Sequence, residues 1–327
     1  MSVIVLGASG FVGRAVCEAF AARGGRVLGI SRSPVPEPLP APSGTVRYRR
    51  LSLTRSPVHE VAALLYAHAA DVVVNAAGAV WGVSAEQLEE GNVTLTRRLL
   101  SALAGLDSPQ RPRLIHLGSA QEYGPGTPGL AVREDTPPRP VSAYGRAKLL
   151  ATEAVLAAVR EGRVDATVLR VANVCGPRSP RNSLLGLIAA HLAEAARNPG
   201  TPPAPLRLAP LRARLDFVDV RDVASAVARA ADAPPHERLL NIGRGEAVSV
   251  STLVAGLIGL SGLDMPVVER SPAHTDRNGI EWQQLDTERA RTLLGWKPAH
   301  SLEESLKDLL AAAHRQEPDA RIGLGLR

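Results

Sequence analysis

A tyrosine and a lysine, Tyr144 and Lys148, stand four residues apart in a stretch with helical character, and Ser119 precedes them in the chain. Side chains at positions i and i+4 of a helix lie on one face, about one turn apart. A free tyrosine has a pKa near ~10 and is a poor acid at neutral pH, but a nearby ammonium group favours its phenolate. With Ser119 to hydrogen-bond a carbonyl oxygen, this set predicts proton donation by Tyr144 during reduction of a carbonyl group.

A glycine-rich turn, Gly7-Ala-Ser-Gly10-Phe-Val-Gly13, follows a short apolar strand and opens a helix at the start of the chain. Gly7 permits the tight turn, Gly10 lets the backbone approach a phosphate, and Gly13 allows close packing of helix on strand. The N–H groups of such a helix N-terminus bind a pyrophosphate. Together with the tyrosine and lysine, the turn predicts hydride transfer between a nicotinamide dinucleotide and a carbonyl.

The end of the second predicted strand indicates which dinucleotide is bound. An NAD site usually carries Asp or Glu there, whereas this chain has Ser31 and Arg32. A carboxylate would repel a 2′-phosphate, and a serine and an arginine can bind one. The sequence therefore predicts NADPH (NADP) as the cofactor. The alternative is that Arg32 is an ordinary surface residue and that the site accepts both cofactors.

Composition excludes several other classes of protein. The chain has 327 residues and a formal net charge of +6, and its arginines are scattered without a polybasic run, so no nucleic-acid partner is expected. The only cysteines, Cys17 and Cys175, are too few for a disulfide framework or a zinc pattern, and no metal is expected. No apolar run is long enough to span a membrane, and residues 3–6 are too short for a signal peptide. We expect a cytoplasmic protein that does not bind membranes.

Strand-like and helix-like segments alternate through the first half of the chain. Continuous apolar runs such as 72–74 are what a parallel strand buried on both faces needs. The alternation predicts βαβ units, and hence an α/β fold with a Rossmann doubly wound parallel sheet. The predicted strands are 3–6, 26–30, 45–48, 72–75, 113–117 and 166–171, and the predicted helices are 12–22, 58–70, 85–104, 142–159 and 302–314.

The second half of the chain has shorter and less regular signals. We expect a dinucleotide-binding domain over residues 1–175, to which 216–242 return, and a smaller lobe formed mainly by 176–327. Ser301 and Glu304 form a capping-box pattern at the start of the last predicted helix. The proline-rich residues 33–44 are expected to form an extended loop.

The helix after Tyr144 is apolar almost all round over residues 147–159. A surface helix normally has one apolar stripe, so burial against both the sheet and a second subunit is expected. The alternative is that small alanines are tolerated anywhere on a helix. The first interpretation predicts a homodimer.

Segments in the same order from end to end resemble the extended short-chain dehydrogenase/reductase family, the NAD-dependent epimerases and dehydratases, and in particular its nucleotide-sugar branch. The resemblance implies a Rossmann domain, a C-terminal lobe for a nucleotide-diphosphate sugar, and a dimer through a four-helix bundle. The segments that carry it are 7–13, 75–78, 92–94, 118–124, 144–148, 169–177, 216–222, 240–243 and 294–298.

Departures from the family pattern narrow the activity. The sugar 4,6-dehydratases have an acid pair where this chain has Ala120 and Gln121 after Ser119. The 4-epimerases retain NAD and usually carry the strand-two Asp that Ser31 replaces here. The sequence therefore looks most like the NADPH-dependent 4-ketoreductases of nucleotide-diphosphate 4-keto-6-deoxyhexoses, with a 2,6-dideoxy sugar also possible as substrate. The alternatives are an NAD-dependent nucleotide-sugar 4-epimerase and a cofactor-binding regulator, and the intact Ser-Tyr-Lys set argues against the regulator.

Carried over position by position, the resemblance implies three sets of site residues. Two arginines are candidates for contacts with the substrate. Arg214 stands one place before the position where the family usually has an arginine, which is Leu215 here, and Arg277 is the candidate for binding the diphosphate. The catalytic set is Ser119, Tyr144 and Lys148. The cofactor set is Gly7, Ser9, Gly10, Phe11, Val12, Gly13, Ser31, Arg32, Ser52, Leu53, Ala76, Ala77, Gly78, Asn92, Tyr144, Lys148 and Val171. The substrate set is Ala79, Val80, Ser119, Ala120, Gln121, Asn173, Asn182, Ser183, Arg214 and Arg277.

Overall fold

A computed structural model describes residues 1–32, 40–41, 44–80, 82–106, 111–198, 203–234, 238–269 and 279–315. Arg277 and most of the proline-rich segment 33–44 lie outside these residues. The strands are β1 (Ser2–Leu6), β2 (Arg26–Ser31), β3 (Pro40–Ala41), β4 (Gly44–Arg50), β5 (Val72–Asn75), β6 (Arg113–Ser119), β7 (Ala166–Val171), β8 (Asn173–Cys175), β9 (Leu206–Leu208), β10 (Arg214–Leu215), β11 (Phe217–Asp219), β12 (Leu239–Ile242), β13 (Val248–Ser249), β14 (Val267–Glu269) and β15 (Trp282–Gln283). The α-helices are α1 (Phe11–Ala22), α2 (Val58–Ala67), α3 (Ala85–Leu88), α4 (Leu95–Ala104), α5 (Ala143–Arg160), α6 (Leu184–Ala196), α7 (Val220–Asp232), α8 (Val250–Ser261), α9 (Glu288–Leu294) and α10 (Leu302–Arg315).

The main sheet has the strand order β12-β7-β6-β5-β1-β2-β4-β3. All of its neighbouring strands are parallel except the short edge strand β3, which pairs antiparallel with β4. Phe20 and Val227 bring α1 and α7 into one apolar cluster with the sheet, while Leu65, Leu99 and Val155 bring α2, α4 and α5 into another. This two-sided covering of a parallel sheet confirms the predicted Rossmann fold.

The predicted helix 85–104 is interrupted. A π-helical turn at Glu89–Thr94 separates α3 from α4. In this turn Asn92 donates from Nδ2 to the carbonyl oxygens of Ala79, at 3.0 Å, and Leu88, at 2.9 Å. A Cβ at Gly91 would lie 2.9 Å from the Cβ of Ala79, so the glycine allows the loop after β5 to approach closely. The wider turn thus fastens that loop, in keeping with the frequent placement of π-turns at functional sites.

The C-terminal part of the chain has its own apolar cluster, formed mainly by α6, α8 and α10. Small sheets β9–β14 and β13-β10-β15 and the pair β8–β11 surround it. The predicted capping box of α10 is confirmed, because Ser301 N donates to Glu304 Oε2 at 2.7 Å and Glu304 N to Ser301 Oγ at 3.1 Å. Strand β12 joins the main sheet beside β7, whereas the domain bounds themselves stay a prediction.

The outer face of helix α5 has both apolar and charged side chains. Ala158 is 0% exposed and Val155 is also buried, so both belong to the core of this chain. Leu150 is 46% exposed and lies among the exposed Arg146 and Glu153. The exposed face thus has one large apolar side chain, Leu150, and the expectation that a second subunit covers this face stays a prediction.

Both cysteines are free and buried. Burial raises the pKa of Cys17 to about 12, and burial together with the nearby carboxylate of Asp219 does the same for Cys175. Both side chains therefore lie in the core as neutral thiols. Within the described part of the chain, no helix combines the length and apolar character needed to cross a bilayer.

Candidate active site

The glycine turn has the geometry of a phosphate cradle. A Cβ at Gly7 would lie 2.7 Å from the carbonyl oxygen of Ala76, and a Cβ at Gly13 would lie 2.1 Å from the carbonyl oxygen of Gly7. Gly10 is the N-cap of α1; it has no side-chain cap, and the first turn of the helix has no acidic residue. The unpaired N–H groups and the helix dipole there favour an anion. The turn thus fits the pyrophosphate of a dinucleotide.

A cavity of about 880 Å³ extends from this turn along the carboxyl edge of the sheet. Its floor joins the turn to the end of β2, because the hydroxyls of Ser9 and Ser31 are 2.7 Å apart. Arg32, Arg50 and Arg55 all line it, and Arg50 Nε donates to the carbonyl oxygen of Arg32 at 3.1 Å. The predicted residues on this lining are Gly7, Ser9, Gly10, Ser31, Arg32, Ser52, Leu53, Ala76, Ala77, Gly78 and Ala79.

A second cavity, of about 160 Å³, adjoins the first and shares the segment 76–78 with it. Strand β6 ends here at Ser119, and α5 brings Tyr144 and Lys148 to the same lining. The three candidate catalytic side chains are therefore brought together, as the sequence predicts. The other predicted residues on this lining are Val12, Ala76, Ala77, Gly78, Val80, Asn92 and Val171.

Burial is the largest influence on the pKa values of the catalytic set. Burial raises the pKa of Tyr144 to about 12, while its side-chain hydrogen bond with Ser119 acts in the opposite direction. Lys148 is not among the groups that shift this pKa, and its ammonium group donates to the carbonyl oxygen of Leu117, so the expectation that Lys148 favours the phenolate of Tyr144 stays a prediction. Burial lowers the pKa of Lys148 to about 8, although the Glu122 carboxylate opposes this effect. Ser119 is thus the side chain that favours ionisation of Tyr144 in this structure.

Several predicted residues lie away from the linings of both cavities and have structural contacts instead. Asn173 donates from Nδ2 to the carbonyl oxygen of Asp216 at 3.0 Å, and Ser183 caps α6 by accepting the N–H of Gly186 at 3.2 Å. The guanidinium of Arg214 lies 5.7 Å from the ring centroid of Trp282. The remaining predicted residues away from the linings are Phe11, Gly13, Ala120, Gln121 and the exposed Asn182, and Arg277 is outside the described residues.

Sequence reasoning missed the polar side chains beneath the catalytic set. His116 Nδ1 is 3.1 Å from Asn75 Nδ2, and Asn75 Nδ2 also donates to Thr96 at 3.3 Å. Burial and the charge of Lys148 hold the pKa of His116 well below its ordinary value. Glu122 is also fully buried next to Ser119. Asn75 and Glu122 lie in the segments 75–78 and 118–124 that carry the family resemblance, but only the packing shows that their side chains lie with His116 beneath the catalytic set.

The chain is similar to known proteins over most of its length. The model of the NAD-dependent epimerase/dehydratase family matches residues 3–243. The chain belongs to this family. A dTDP-6-deoxy-L-talose 4-dehydrogenase (NAD(P)(+)) from Kitasatospora kifunensis is 42% identical over 313 residues, which are 95% of this chain and 95% of that relative. Family membership confirms the predicted NAD(P)-dependent oxidoreductase.

Other members of the family have different activities. A dTDP-L-rhamnose 4-epimerase from Burkholderia thailandensis is 29% identical over 245 residues, which cover 73% of this chain and 61% of that relative. Among solved structures, MoeE5 in complex with UDP-glucuronic acid and NAD has a TM-score of 0.80 at 26% identity and covers 96% of this chain and 99% of that chain. The family therefore includes both net oxidoreductases and epimerases.

Proposed function

We propose that this chain is an NADPH-dependent reductase of a nucleotide-diphosphate 4-keto-6-deoxyhexose. The observation that carries the proposal is the meeting of Ser119, Tyr144 and Lys148 at a cavity that opens onto a second, arginine-lined cavity. The Kitasatospora relative supports it, because its name gives a 4-dehydrogenase of dTDP-6-deoxy-L-talose that uses NAD or NADP, and a ketoreductase catalyses the reverse of such a reaction.

The cofactor preference follows from the charges at the end of β2. The first cavity has Arg32, Arg50 and Arg55 on its lining, and Ser31 stands where an NAD site has a carboxylate. Guanidinium groups bind phosphate oxygens strongly, and a serine hydroxyl does not repel them. We expect these groups to hold the 2′-phosphate of NADPH, and the segment 76–78 to lie beside the cofactor between the two cavities.

The residues of the second cavity account for the proton side of the reaction. A bound reduced nicotinamide supplies the hydride for the carbonyl carbon. Ser119 hydrogen-bonds the substrate oxygen and lies in contact with Tyr144, whose hydroxyl has its proton at neutral pH because its pKa is about 12. Tyr144 donates that proton to the oxygen as negative charge develops on it. Lys148, held by the Leu117 carbonyl oxygen, keeps a positive charge beside the site.

The deciding experiment is an assay of purified protein with NADPH and dTDP-4-keto-6-deoxyhexoses. We expect stoichiometric loss of NADPH absorbance and formation of a 4-hydroxy sugar, and oxidation of dTDP-6-deoxy-L-talose in reverse. Tyr144→Phe should lower turnover by roughly two to four orders of magnitude, as for other positioned acids, with cofactor binding retained. The control is Tyr66→Phe, the same change at a tyrosine that is 69% exposed.

The alternative activity is 4-epimerisation, which the Burkholderia relative performs by name. Tightly bound NAD in the purified protein, with interconversion of two hydroxy sugars and no net consumption of cofactor, would establish it instead. We further propose a homodimer in which α4 and α5 pair with their copies across a two-fold axis. The exposed Leu150 on α5 supports this pairing.

A further inference from the structure

Glu122 is a carboxylate without exposed surface, and both of its oxygens accept hydrogen bonds. Oε1 accepts the backbone N–H of Ser119 at 2.7 Å and the hydroxyl of Thr152 at 3.0 Å. Oε2 accepts Nε of Arg170 at 2.7 Å, and the Arg170 side chain is only 4% exposed. A charge is tolerated in the core only when it is paired and hydrogen-bonded, as this one is.

The three partners of Glu122 lie on the three elements around the catalytic set. Ser119 ends β6, and Arg170 lies on β7, directly beside β6. Thr152 follows Lys148 by four residues and Tyr144 by eight on α5, so the three side chains share one face of the helix. The Glu122 carboxylate therefore connects the end of β6, which carries Ser119, to the face of α5 that carries Tyr144.

Gly118 makes room for this carboxylate. A Cβ on Gly118 would lie 2.7 Å from Glu122 Oε1 and 3.3 Å from the side chain of Arg170. The network continues beyond the ion pair, because the Arg170 guanidinium stacks over the ring of Tyr123 at 4.3 Å from its centroid. The Tyr123 hydroxyl in turn donates to Asn241 Oδ1 on β12 at 2.7 Å. The site of Glu122 is thus built by residues from several strands.

Three titratable groups lie around Lys148. Glu122 follows β6, His116 lies on β6 itself, and Tyr144 lies one turn earlier on α5. His116 is neutral because its pKa is held well below the ordinary value, and Tyr144 is neutral because its pKa is raised. Arg170 is paired with Glu122. Glu122 is accordingly the one negative charge among these groups.

We propose that Glu122 is a positioning residue for the reduction: it fixes Ser119 against the Tyr144–Lys148 face of α5 and supplies the negative charge that Lys148 faces. The role of Glu122 in positioning Ser119 rests on the proposed function, whereas its effect on the titration of Lys148 does not. Two measurements test the parts separately.

The first measurement is an NMR titration of ¹³C-labelled lysine side chains. The chain has three lysines, and Lys297 and Lys307 are exposed internal references. Lys148→Met assigns the Lys148 signal. In Glu122→Gln we expect the pKa of Lys148 to fall by roughly one pH unit, the effect of losing a nearby opposite charge. The signals of Lys297 and Lys307 should not move.

The second measurement is the pH dependence of kcat for NADPH-dependent reduction. Glu122→Gln should lower kcat by roughly ten- to a hundredfold, as small misplacements of catalytic groups do, and shift the alkaline limb of the profile to lower pH. Thr152→Val removes one hydrogen bond and keeps the charge, so it should lower kcat roughly tenfold without moving that limb or KM for NADPH. The matched control is Thr167→Val, at a buried threonine of β7 outside the Glu122 contacts.

Loss of Glu122 leaves Arg170 buried without its partner, so the single variant can fail to fold. Glu122→Gln/Arg170→Met then replaces it, because the double variant removes both charges of the pair. A Lys148 titration equal to that of the parent, in whichever of the two variants folds, overturns the proposal. So does an unchanged kcat in that variant. If the parent reduces no 4-keto sugar, the proposed function fails, and the lysine titration still decides the role of Glu122.

Discussion

The glycine turn makes two separate demands on its residues, and alanine substitutions at Gly10 and Gly13 distinguish them. At Gly13 the new Cβ would lie 2.1 Å from the Gly7 carbonyl oxygen and 2.7 Å from its carbonyl carbon, which are backbone atoms that cannot rotate away. At Gly10 it would meet only the Gly7 oxygen, at 3.1 Å, and the backbone there has φ −77° and ψ 168°, which alanine adopts easily. Gly13 is therefore required by the fold, and Gly10 is not.

The expected stability changes follow from these contacts. Overpacking at Gly13 costs up to about 3 kcal/mol, and the better helix propensity of alanine offsets about 1 kcal/mol of it. The net cost of about 2 kcal/mol corresponds to a fall in Tm of roughly 5 °C for a domain of this size. At Gly10 the loss of a glycine N-cap costs about 0.5–1 kcal/mol, so Tm should fall by roughly 2 °C.

Cofactor affinity should fall more in Gly10→Ala than in Gly13→Ala, which is the reverse of the order for stability. Gly10 lines the large cavity, and a methyl group there has little protein around it, so it projects toward the space for the pyrophosphate. Gly10→Ala should weaken NADPH binding by at least about tenfold, or about 1.4 kcal/mol, in a protein that is nearly as stable as the parent. Calorimetric titration and scanning calorimetry measure the two effects. The control Gly259→Ala on α8, where a Cβ has no atom within 4 Å, should not change affinity. Parental NADPH affinity in Gly10→Ala would refute the assignment of the cradle.

Three further predictions concern charge and assembly. Arg32→Ala should weaken NADPH binding about tenfold, the size of one hydrogen bond to a charged group, and leave NADH binding unchanged. The matched control is Arg49→Ala, at a neighbouring exposed arginine, and equal losses of affinity for both cofactors in Arg32→Ala would contradict the prediction. Reductase activity should decline as pH rises through the Lys148 pKa of about 8, because the lysine charge is lost, and a rate that stays constant to pH 10 would count against this role. Leu150→Glu on the exposed face of α5 should yield monomers by light scattering and a lower Tm, because association stabilises the folded subunits. Ala158→Glu, at a position 0% exposed, should unfold the chain whatever its assembly, and a parent protein with a monomer mass would exclude the dimer.

The elements of the Rossmann sheet could be predicted from the sequence because their signals are local. The strand predicted at 72–75 is found at Val72–Asn75, and that at 166–171 is found at Ala166–Val171. Both are continuous apolar runs, which a parallel strand covered on both faces requires. The glycine turn and the Tyr144–Lys148 pair are similarly visible, since backbone geometry and helical spacing fix the residue types.

The remaining features depend on contacts between distant segments. The π-turn at Glu89–Thr94 follows from the approach of Gly91 to Ala79, which no periodicity in the helix indicates. Glu122 would be expected at the surface, and only its pairing with Arg170 makes its burial possible. The strands of the C-terminal part are two or three residues long and carry no alternation that a sequence pattern could detect.

The two buried cysteines make the protein convenient for site-specific labelling. A maleimide reacts with the thiolate, and a thiol with a pKa of about 12 supplies almost none of it at neutral pH. A cysteine introduced at an exposed position, such as Arg49 or Glu153, would therefore take up a fluorophore or spin label while the native pair stays unmodified. Distances between the sheet edge and α5 can then be measured in solution without first replacing either native cysteine.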